Sequence, residues 1–397
     1  MNIFKEKKRY LKKGFIIMIA IVMLSACTVN KNEEFLTTIS IGTIGSDETY
    51  NDNGIIVVSR GIAYYIDPAT GIKMPICTKI NCNHNGRSPA NPSPTCNAYL
   101  SEYVNCAAFM GNNLYYVSCP DDKGLFIKEF YKANKDGTNR RLLYRAEEAE
   151  IYSSGIYEEG YLVYAYYNDE SQDGKKLDKN KIGILVLNLE NESMKKVEIA
   201  DRYSGKVLIS TIKDGYLYYM LSYYYEDLKD YGYDYLASEE GAEKLREILR
   251  LEVWRYNIET EENELIDLYR DDESSYRLGF GHLIKGVEDD KRFEMIELSS
   301  GEKNCLYCEE ISGMNVVLTE EGVLFTGKGE ICIWKYGTDC LEQLGSYDIA
   351  TGISVYWVTK TWVYGRLYSN GSVKDYCCLR EEFMQGILNL KTLNIRE

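Results

Sequence analysis

Gly215-Tyr216-Leu217-Tyr218-Tyr219 decides the fold, because its theme recurs along the chain. A turn residue opens a strand rich in tyrosine and aliphatic residues at Gly61 (Ile62-Ala63-Tyr64-Tyr65-Ile66), Asn112-Asn113 (Leu114-Tyr115-Tyr116-Val117), Gly160 (Tyr161-Leu162-Val163-Tyr164) and Gly322 (Val323-Leu324-Phe325). Aromatic and β-branched runs bounded by Gly or Asn have the composition of strands between turns. The starts at 61, 113, 160 and 215 recur about every 50 residues, a period of sheet repeats.

A second hairpin element follows each opening strand. Ile184-Leu185-Val186-Leu187-Asn188-Leu189 runs into Glu190-Asn191-Glu192, and Val253-Trp254-Arg255-Tyr256-Asn257-Ile258 into Glu259-Thr260-Glu261. Phe293 to Leu298 runs into Ser299-Ser300-Gly301, and Ile331 to Trp334 into Tyr336-Gly337-Thr338, with Asp67-Pro68-Ala69-Thr70-Gly71 the corresponding turn of the first repeat. These are antiparallel strand-turn-strand units. Four-stranded sheets repeated radially make a β-propeller, which leaves only short, protected edges. Residues 51–397 at about 50 per repeat predict an all-β, single seven-bladed propeller, six blades being the alternative. No linker divides the chain into the two β-sandwiches that would compete with it. The 36 tyrosines and 6 prolines fit strands packed on one side and wet on the other.

One insertion breaks the rhythm. Residues 222–235 (SYYYEDLKDYGYDY) are rich in Tyr and Asp, and Leu236 to Leu251 has helix-forming composition. Ser238 stands at a cap position, Glu239 and Glu240 in a first turn, and Leu245, Ile248 and Leu249 at helical spacing. This predicts one inserted helix within about 222–251. Tyr223, Tyr225 and Tyr233 with Asp227 and Asp230 form a candidate ligand site, since aromatic faces beside carboxylates suit sugars or cationic groups. The competing reading is a loop that folds its rings over the adjacent helix.

The N-terminus carries an address. Lys5, Lys7, Lys8, Arg9, Lys12 and Lys13 precede an uncharged, mostly apolar run from Gly14 to Ala26. That order is an export signal, too short to span a bilayer comfortably. Leu24-Ser25-Ala26-Cys27 resembles a lipobox, which makes residues 1–26 a lipoprotein signal peptide and Cys27 the lipidated residue. Residues 27–50 then read as a tether. The protein is expected to be exported and lipid-anchored to the outer face of the cell membrane. Residues 1–26 carry six basic residues and one acidic, a net of +5, so of the whole-chain −15 the remainder holds −20. Such an acidic body argues against nucleic acid as a partner and leaves the lipid as the route to the membrane.

Cys77-Thr78-Lys79-Ile80-Asn81-Cys82-Asn83-His84, followed by Cys96, is the densest chemical constellation. Three thiols and an imidazole can supply a tetrahedral metal site, and structural zinc is the expected ion. Disulfide bonding and redox chemistry are the other readings of the same residues, and a structural role outweighs a catalytic one under all three. Twelve cysteines less Cys27 leave eleven, an odd number that cannot all pair within the chain. Cys305-Leu306-Tyr307-Cys308 is read as two small buried residues on a strand, and Cys377-Cys378 as core. Asp169-x-Ser171-x-Asp173-Gly174 opens like a calcium loop, but Asn180 stands where a bidentate Glu is required; a polar hairpin tip fits equally well, and calcium ranks behind zinc. Only His84 and His282 are present, with no G-x-S-x-G elbow and no phosphate-cradling glycine loop. Catalytic residues are therefore not assigned.

With these motifs in place, the chain resembles a group of uncharacterised β-propeller lipoproteins of Gram-positive gut-type anaerobes. The resemblance rests on the lipobox and on Pro75-Ile76-Cys77…Cys82-Asn83-His84…Cys96-Asn97-Ala98-Tyr99. It implies a propeller at the cell surface, with this segment closing the first blade, and it implies no activity. The expected function is a lipid-anchored surface module that binds a cell-envelope protein or glycan. The alternative is an extracytoplasmic carbohydrate-active enzyme, a lyase or glycosidase on the same scaffold.

Overall fold

The computed structural model describes residues 39–41, 48–101, 104–118, 128–146, 150–158, 160–168, 179–270, 274–287, 292–308, 311, 313–369, 371–393 and 395. After a short strand β1 (Ile39–Ile41), blade 1 comprises β2 (Glu48–Asn51), β3 (Gly54–Ser59), β4 (Ile62–Ile66) and β5 (Lys73–Pro75). Blade 2 comprises β6 (Val104–Met110), β7 (Asn113–Ser118), β8 (Glu129–Asn134) and β9 (Arg141–Arg145). Blade 3 is β10 (Glu150–Glu158), β11 (Tyr161–Asn168), β12 (Lys179–Asn188) and the first half of β13 (Met194–Lys213). The second half of β13 opens blade 4, which continues with β14 (Tyr216–Tyr224), β15 (Leu249–Asn257) and β16 (Asn263–Arg270). Blade 5 is β17 (Ser274–Gly279), β18 (His282–Val287), β19 (Arg292–Glu297) and β20 (Lys303–Tyr307). Blade 6 is β21 (Asn315–Leu318), β22 (Gly322–Gly327), β23 (Glu330–Lys335) and β24 (Leu341–Ser346). Blade 7 is β25 (Thr351–Val358), β26 (Trp362–Ser369), β27 (Ser372–Leu379) and β28 (Lys391–Leu393).

This is the seven-bladed propeller expected from the repeat. First strands of neighbouring blades adjoin one another, as β13 does β17, β17 does β21 and β21 does β25, so they surround the axis. The middle strands are buried on both faces: β3, β22 and β23 each present an unbroken buried run. The tyrosines follow suit. Tyr166, Tyr219, Tyr256, Tyr364 and Tyr376 are among the largest fully buried side chains, a correction to the half-wet role read from composition. A blade flanked by two others has no wet face, and exposure is concentrated in outer strands such as β24.

The repeat markers also shift register. Gly160, Gly215 and Gly322 stand at the opening of second strands, whereas Gly61 opens the third strand of blade 1, where Gly54 holds the equivalent place. Arg60-Gly61 (φ 50° and 77°) and Asp214-Gly215 (φ 54° and 77°) are the same left-handed two-residue turn. Their sequences therefore cannot tell a first turn from a second.

Strand alternation sorts the connections onto two faces. First-to-second turns have two or three residues and third-to-fourth turns five or six, apart from residues 380–390 of blade 7, which include a short helix; this is the tight face. Second-to-third connections and crossings between blades share the other, the loop face, which includes residues 225–248. That insertion carries a 3-10 turn (Leu228–Asp230), α1 (Tyr233–Leu236) and α2 (Glu239–Ile248), while α3 is Arg380–Met384. The expected cap is present, Ser238 Oγ accepting from Gly241 N at 3.1 Å. Tyr223 and Tyr224 belong to β14 rather than to a loop, and Leu249 and Leu251 to β15.

The ring closes without exchanging strands: blade 1 is built wholly from the N-terminal side and blade 7 wholly from the C-terminal side. Ile55, Val57 and Ile66 pack against Tyr364, Cys377, Leu393 and Ile395 across this seam. Cys377 Sγ donates to Pro68 O (3.3 Å), Lys73 Nζ to Ile395 O (3.2 Å) and Thr361 N to Asp52 Oδ1 (2.8 Å).

Four blades share one third-to-fourth turn, at 67–72, 188–193, 257–262 and 297–302. The first residue's N–H donates to the sixth residue's carbonyl at 2.9–3.1 Å. The first side chain caps the turn; Asn257 Oδ1, for example, accepts from Glu259 N and Thr260 N. The fifth residue is left-handed in each: Gly71, Glu192, Glu261 and Gly301. The two glutamates reach the preceding blade, Glu192 to Lys132 (2.8 Å) and Glu261 to Lys195 (2.5 Å). Strain of about 1–2 kcal/mol opposes an exposed ion pair worth under about 1 kcal/mol. Glu261→Gly is therefore expected to leave stability within about 1 kcal/mol of wild type or to raise it. Gly301→Ala should lower it by about 1 kcal/mol in denaturant titration, although no atom lies within 4 Å of the added Cβ.

Between blades 5 and 6, the His282 ring stacks on Tyr336 at 3.7 Å and 1°. Its Nδ1 donates to Phe280 O at 2.8 Å, and Tyr336 OH donates to Thr319 O at 2.8 Å. Burial holds the imidazole below its ordinary range, against the pull of the Phe280 carbonyl. The unfolded chain thus binds this proton more readily, so the contribution is full above pH about 6.5 and is lost as pH falls below it. Thermal melts from pH 7.5 to 5 should lose less stability in His282→Gln than in wild type; parallel curves would exclude His282 as the titrating group.

Candidate metal centre

The outermost strand of blade 1 is built in two pieces. Pro75 pairs with Tyr64 and Ile76 N donates to Ala63 O (3.1 Å); then the chain departs. It returns at Ala98, whose carbonyl accepts from Ala63 N (2.8 Å), with Tyr99 opposite Ile62 and Leu100 N donating to Gly61 O (2.8 Å). Residues 77–97 therefore project from the middle of one strand. Cys77 and Cys96 stand at the neck of this projection.

The four expected ligands meet there. One donor atom from each of Cys77, Cys82, His84 and Cys96 lies within 4.8 Å of every other, and His84 Nδ1 is 3.5 Å from Cys96 Sγ. Tetrahedral zinc with bonds near 2.3 Å requires donors about 3.8 Å apart, so a small contraction completes the shell. All three cysteines are free thiols. The set could hold a metal such as zinc, and a four-donor shell leaves no open position for substrate. Cys77 and Cys96 are buried, Cys82 and His84 partly exposed, which gives an ion a path from solvent.

The backbone is arranged for thiolates. Burial alone would raise the Cys77 thiol, but N–H groups of Lys79 and Asn97 and the neighbouring Cys82 and Cys96 outweigh it and hold it below its ordinary range. Cys96 is pushed up to about 11 by burial, with the Ala98 N–H acting against the shift. A more acidic thiol thus sits beside a less acidic one, whose proton a bound cation must displace. Asn81 and His84 are left-handed at φ 60° and 50°, which curls the chain so that Cys82 and His84 both turn inward.

The face toward the next blade is clamped by blade 2. Thr78 Oγ1 donates to Asp136 Oδ2 (3.1 Å), and Arg140 donates to Asn97 O (2.6 Å) and Gly137 O (2.9 Å). Gly137, at φ 76°, lies so close that a Cβ would meet Asn97 O at 2.0 Å. The turn of Asp136 is thus the outer support of the cluster. Nothing local signals this, because the contact joins two blades.

The residues expected to form a ligand site in the insertion each have partners of their own. Tyr223 OH donates to Glu252 Oε1 (2.7 Å), beneath Arg202 at 4.9 Å from the ring. Tyr225 is exposed under Arg250 at 4.0 Å. Asp227 accepts from Lys229 N (3.0 Å), Asp230 ends the 3-10 turn, and Tyr233 opens α1 with its side chain outside the described residues. Sequence reasoning missed the cations Arg202, Lys244 and Arg250, which come from a strand, a helix and another strand. Buried Glu252, which also accepts from Trp254 Nε1 (2.9 Å), was missed as well. Of the other cysteines, Cys377 and Cys378 are core as expected, but Cys305 is exposed and Cys308 half-buried, so that pair is not buried. Cys27, the loop at 169–174, and Cys119 lie outside the described residues.

No known family and no curated protein matches the chain. Solved structures do. One of two prolyl endopeptidases aligns over 74% of this chain and 43% of its own, at 8% identity and TM-score 0.50. The β-propeller domain of the Trilobed protease from Pyrococcus furiosus aligns over 73% and 82%, at 14% identity and TM-score 0.42. An oligogalacturonate lyase in complex with manganese aligns over 75% of each chain, at 10% identity and TM-score 0.40. The likeness is one of fold. This chain spans less than half of the endopeptidase, whose activity remains that protein's own.

Zinc analysis of residues 28–397 purified anaerobically should give one ion per chain. Cys77→Ser or Cys96→Ser should abolish it and cost about 3 kcal/mol, the scale of closing a loop of this length. Affinity should fall as pH falls, because the Cys96 proton competes. A metal-free chain with these thiols joined as disulfides would retire the centre.

Proposed function

We propose that this protein is a cell-surface binding module, exported by residues 1–26, lipidated at Cys27 and tethered to the outer face of the membrane. The propeller is its scaffold, and zinc at Cys77, Cys82, His84 and Cys96 is a structural staple for the divided strand. The observation that carries the reading is the insertion at 225–248, the largest departure from the repeat on the loop face. It offers the exposed Tyr225 ring stacked on Arg250, beside the Glu226–Lys244 pair at 3.4 Å. An aromatic face with a fixed guanidinium suits an envelope glycan or a protein carrying anionic groups.

The test is co-sedimentation of residues 28–397 with purified envelopes of the native cell. Wild type should sediment, and Tyr225→Ala with Arg250→Ala should weaken binding tenfold or more, while Glu261→Gly on the tight face leaves it unchanged. Equal binding by all three would sink the assignment to the insertion.

A further inference from the structure

The acidic charge of this chain is not spread evenly. Of 397 residues 61 are acidic, yet none falls between positions 68 and 101, where Lys73, Lys79 and Arg87 stand. Residues 130–145 add Lys132, Lys135, Arg140, Arg141 and Arg145 against Asp136 alone. The first stretch is the outer strand of blade 1 with its projection, and the second holds the outer hairpin of blade 2, β8 and β9. Thr78 bonded to Asp136, and Arg140 bonded to Asn97, join the two. One basic patch therefore lies on the rim of an acidic body.

Its charge is cancelled locally only in part. Glu192 takes up Lys132 and Arg141, and Glu129 takes up Arg145. The exposed cations nearest the projection rest on neutral partners. Lys79 Nζ donates to Thr95 O (3.4 Å), Arg140 donates to the carbonyls of Asn97, Gly137 and Leu100, and Lys135 lies 5.8 Å from the Phe109 ring. Asp136, the carboxylate among them, accepts from Thr78 and Thr138. Apolar side chains accompany these cations into solvent. Ile80, next to Lys79, is 86% exposed, and Ile72, Met74 and Leu142 beside Lys73 and Arg141 are exposed as well.

We propose that this patch docks on the anionic lipid surface of the membrane, with Ile80 entering the headgroup layer. Basic side chains beside exposed apolar ones are the composition of an interfacial contact, and an anionic leaflet attracts each cation brought close to it. A soluble polyanion would engage the cations and leave Ile80 in water. The projection is held at its neck by Arg140 and by the bonded pair Thr78 and Asp136, so docking orders little that is not already ordered. The acidic remainder of the body is repelled by the same surface, which makes the contact selective for one side of the ring. The proposal rests on the reading that the protein works at the outer face of the membrane, and not on a lipid at Cys27.

Sedimentation of residues 28–397, without lipid, with mixed phosphatidylglycerol and phosphatidylcholine vesicles tests the patch, with vesicles of phosphatidylcholine alone for comparison. Physiological ionic strength is used, so that charges more than about 8 Å away are screened. Wild type should bind the mixed vesicles and not the neutral ones. Lys79→Glu with Lys135→Glu should weaken binding about tenfold or more. Lys303→Glu with Lys374→Glu makes the same charge change at exposed sites on blades 5 and 7 and should leave binding unchanged. Ile80→Trp should strengthen binding several-fold, a gain that misfolding does not produce. Absence of wild-type binding, or equal loss in the two double variants, overturns the proposal. So does binding that is indifferent to Ile80→Trp and displaced by polyphosphate, which would assign the patch to a phosphate polymer. Tyr225→Ala with Arg250→Ala should bind these vesicles as wild type does, so failure of the patch and failure of the insertion as a ligand site are read separately.

Discussion

A four-stranded blade whose middle strands are apolar on both faces cannot be stable alone, and the structure follows from that constraint. Ile55, Leu324 and Ile333 are fully buried only because another blade lies against each face. At about 25 cal/mol per Å² of apolar surface, each such contact outweighs any single hydrogen bond between blades. Seven sheets satisfy the requirement by closing a ring. The seam between blades 7 and 1 carries the consequence. No strand crosses it, so Tyr364, Leu393 and Ile395 must supply by packing what hydrogen bonding supplies within a blade.

The rim obeys the same logic. Where residues 77–97 leave the outermost strand, the ladder is interrupted, and Cys77, Cys82, His84 and Cys96 gather at the neck. Cys77 and Cys96 are themselves buried in the apolar cluster shared by blades 1 and 2, so the donors converge at its edge. Arg140 and Gly137 of the next blade then hold the neck from outside. The centre is thereby tied to the interface of blades 1 and 2, far along the rim from the insertion of blade 4.

Much of this was legible in the chain. Gly160 and Gly215 mark blades because the two-residue turn before each of these second strands needs a left-handed residue, a conformation glycine adopts without strain. Ser238 and Glu239 announce α2 because capping is local. The four metal donors are legible because thiols and imidazole so close together have few other uses in a tyrosine-rich propeller. Gly61 misleads because two kinds of turn share one chemistry. The tyrosines mislead because composition records that a ring is amphipathic, whereas its burial depends on a neighbouring blade.

Local chemistry, then, was determined by the sequence alone: strand and turn periodicity, the capped helix, the donor set, the acidic charge and the export-like N-terminus. Only the tertiary structure decided which strand the cysteine segment divides and which cations reach Tyr223 and Tyr225. Those facts rest on contacts between residues tens to hundreds of positions apart, such as Asp52 with Thr361 or Thr78 with Asp136. Such contacts form when apolar faces are buried together, and a linear pattern records only that the faces exist.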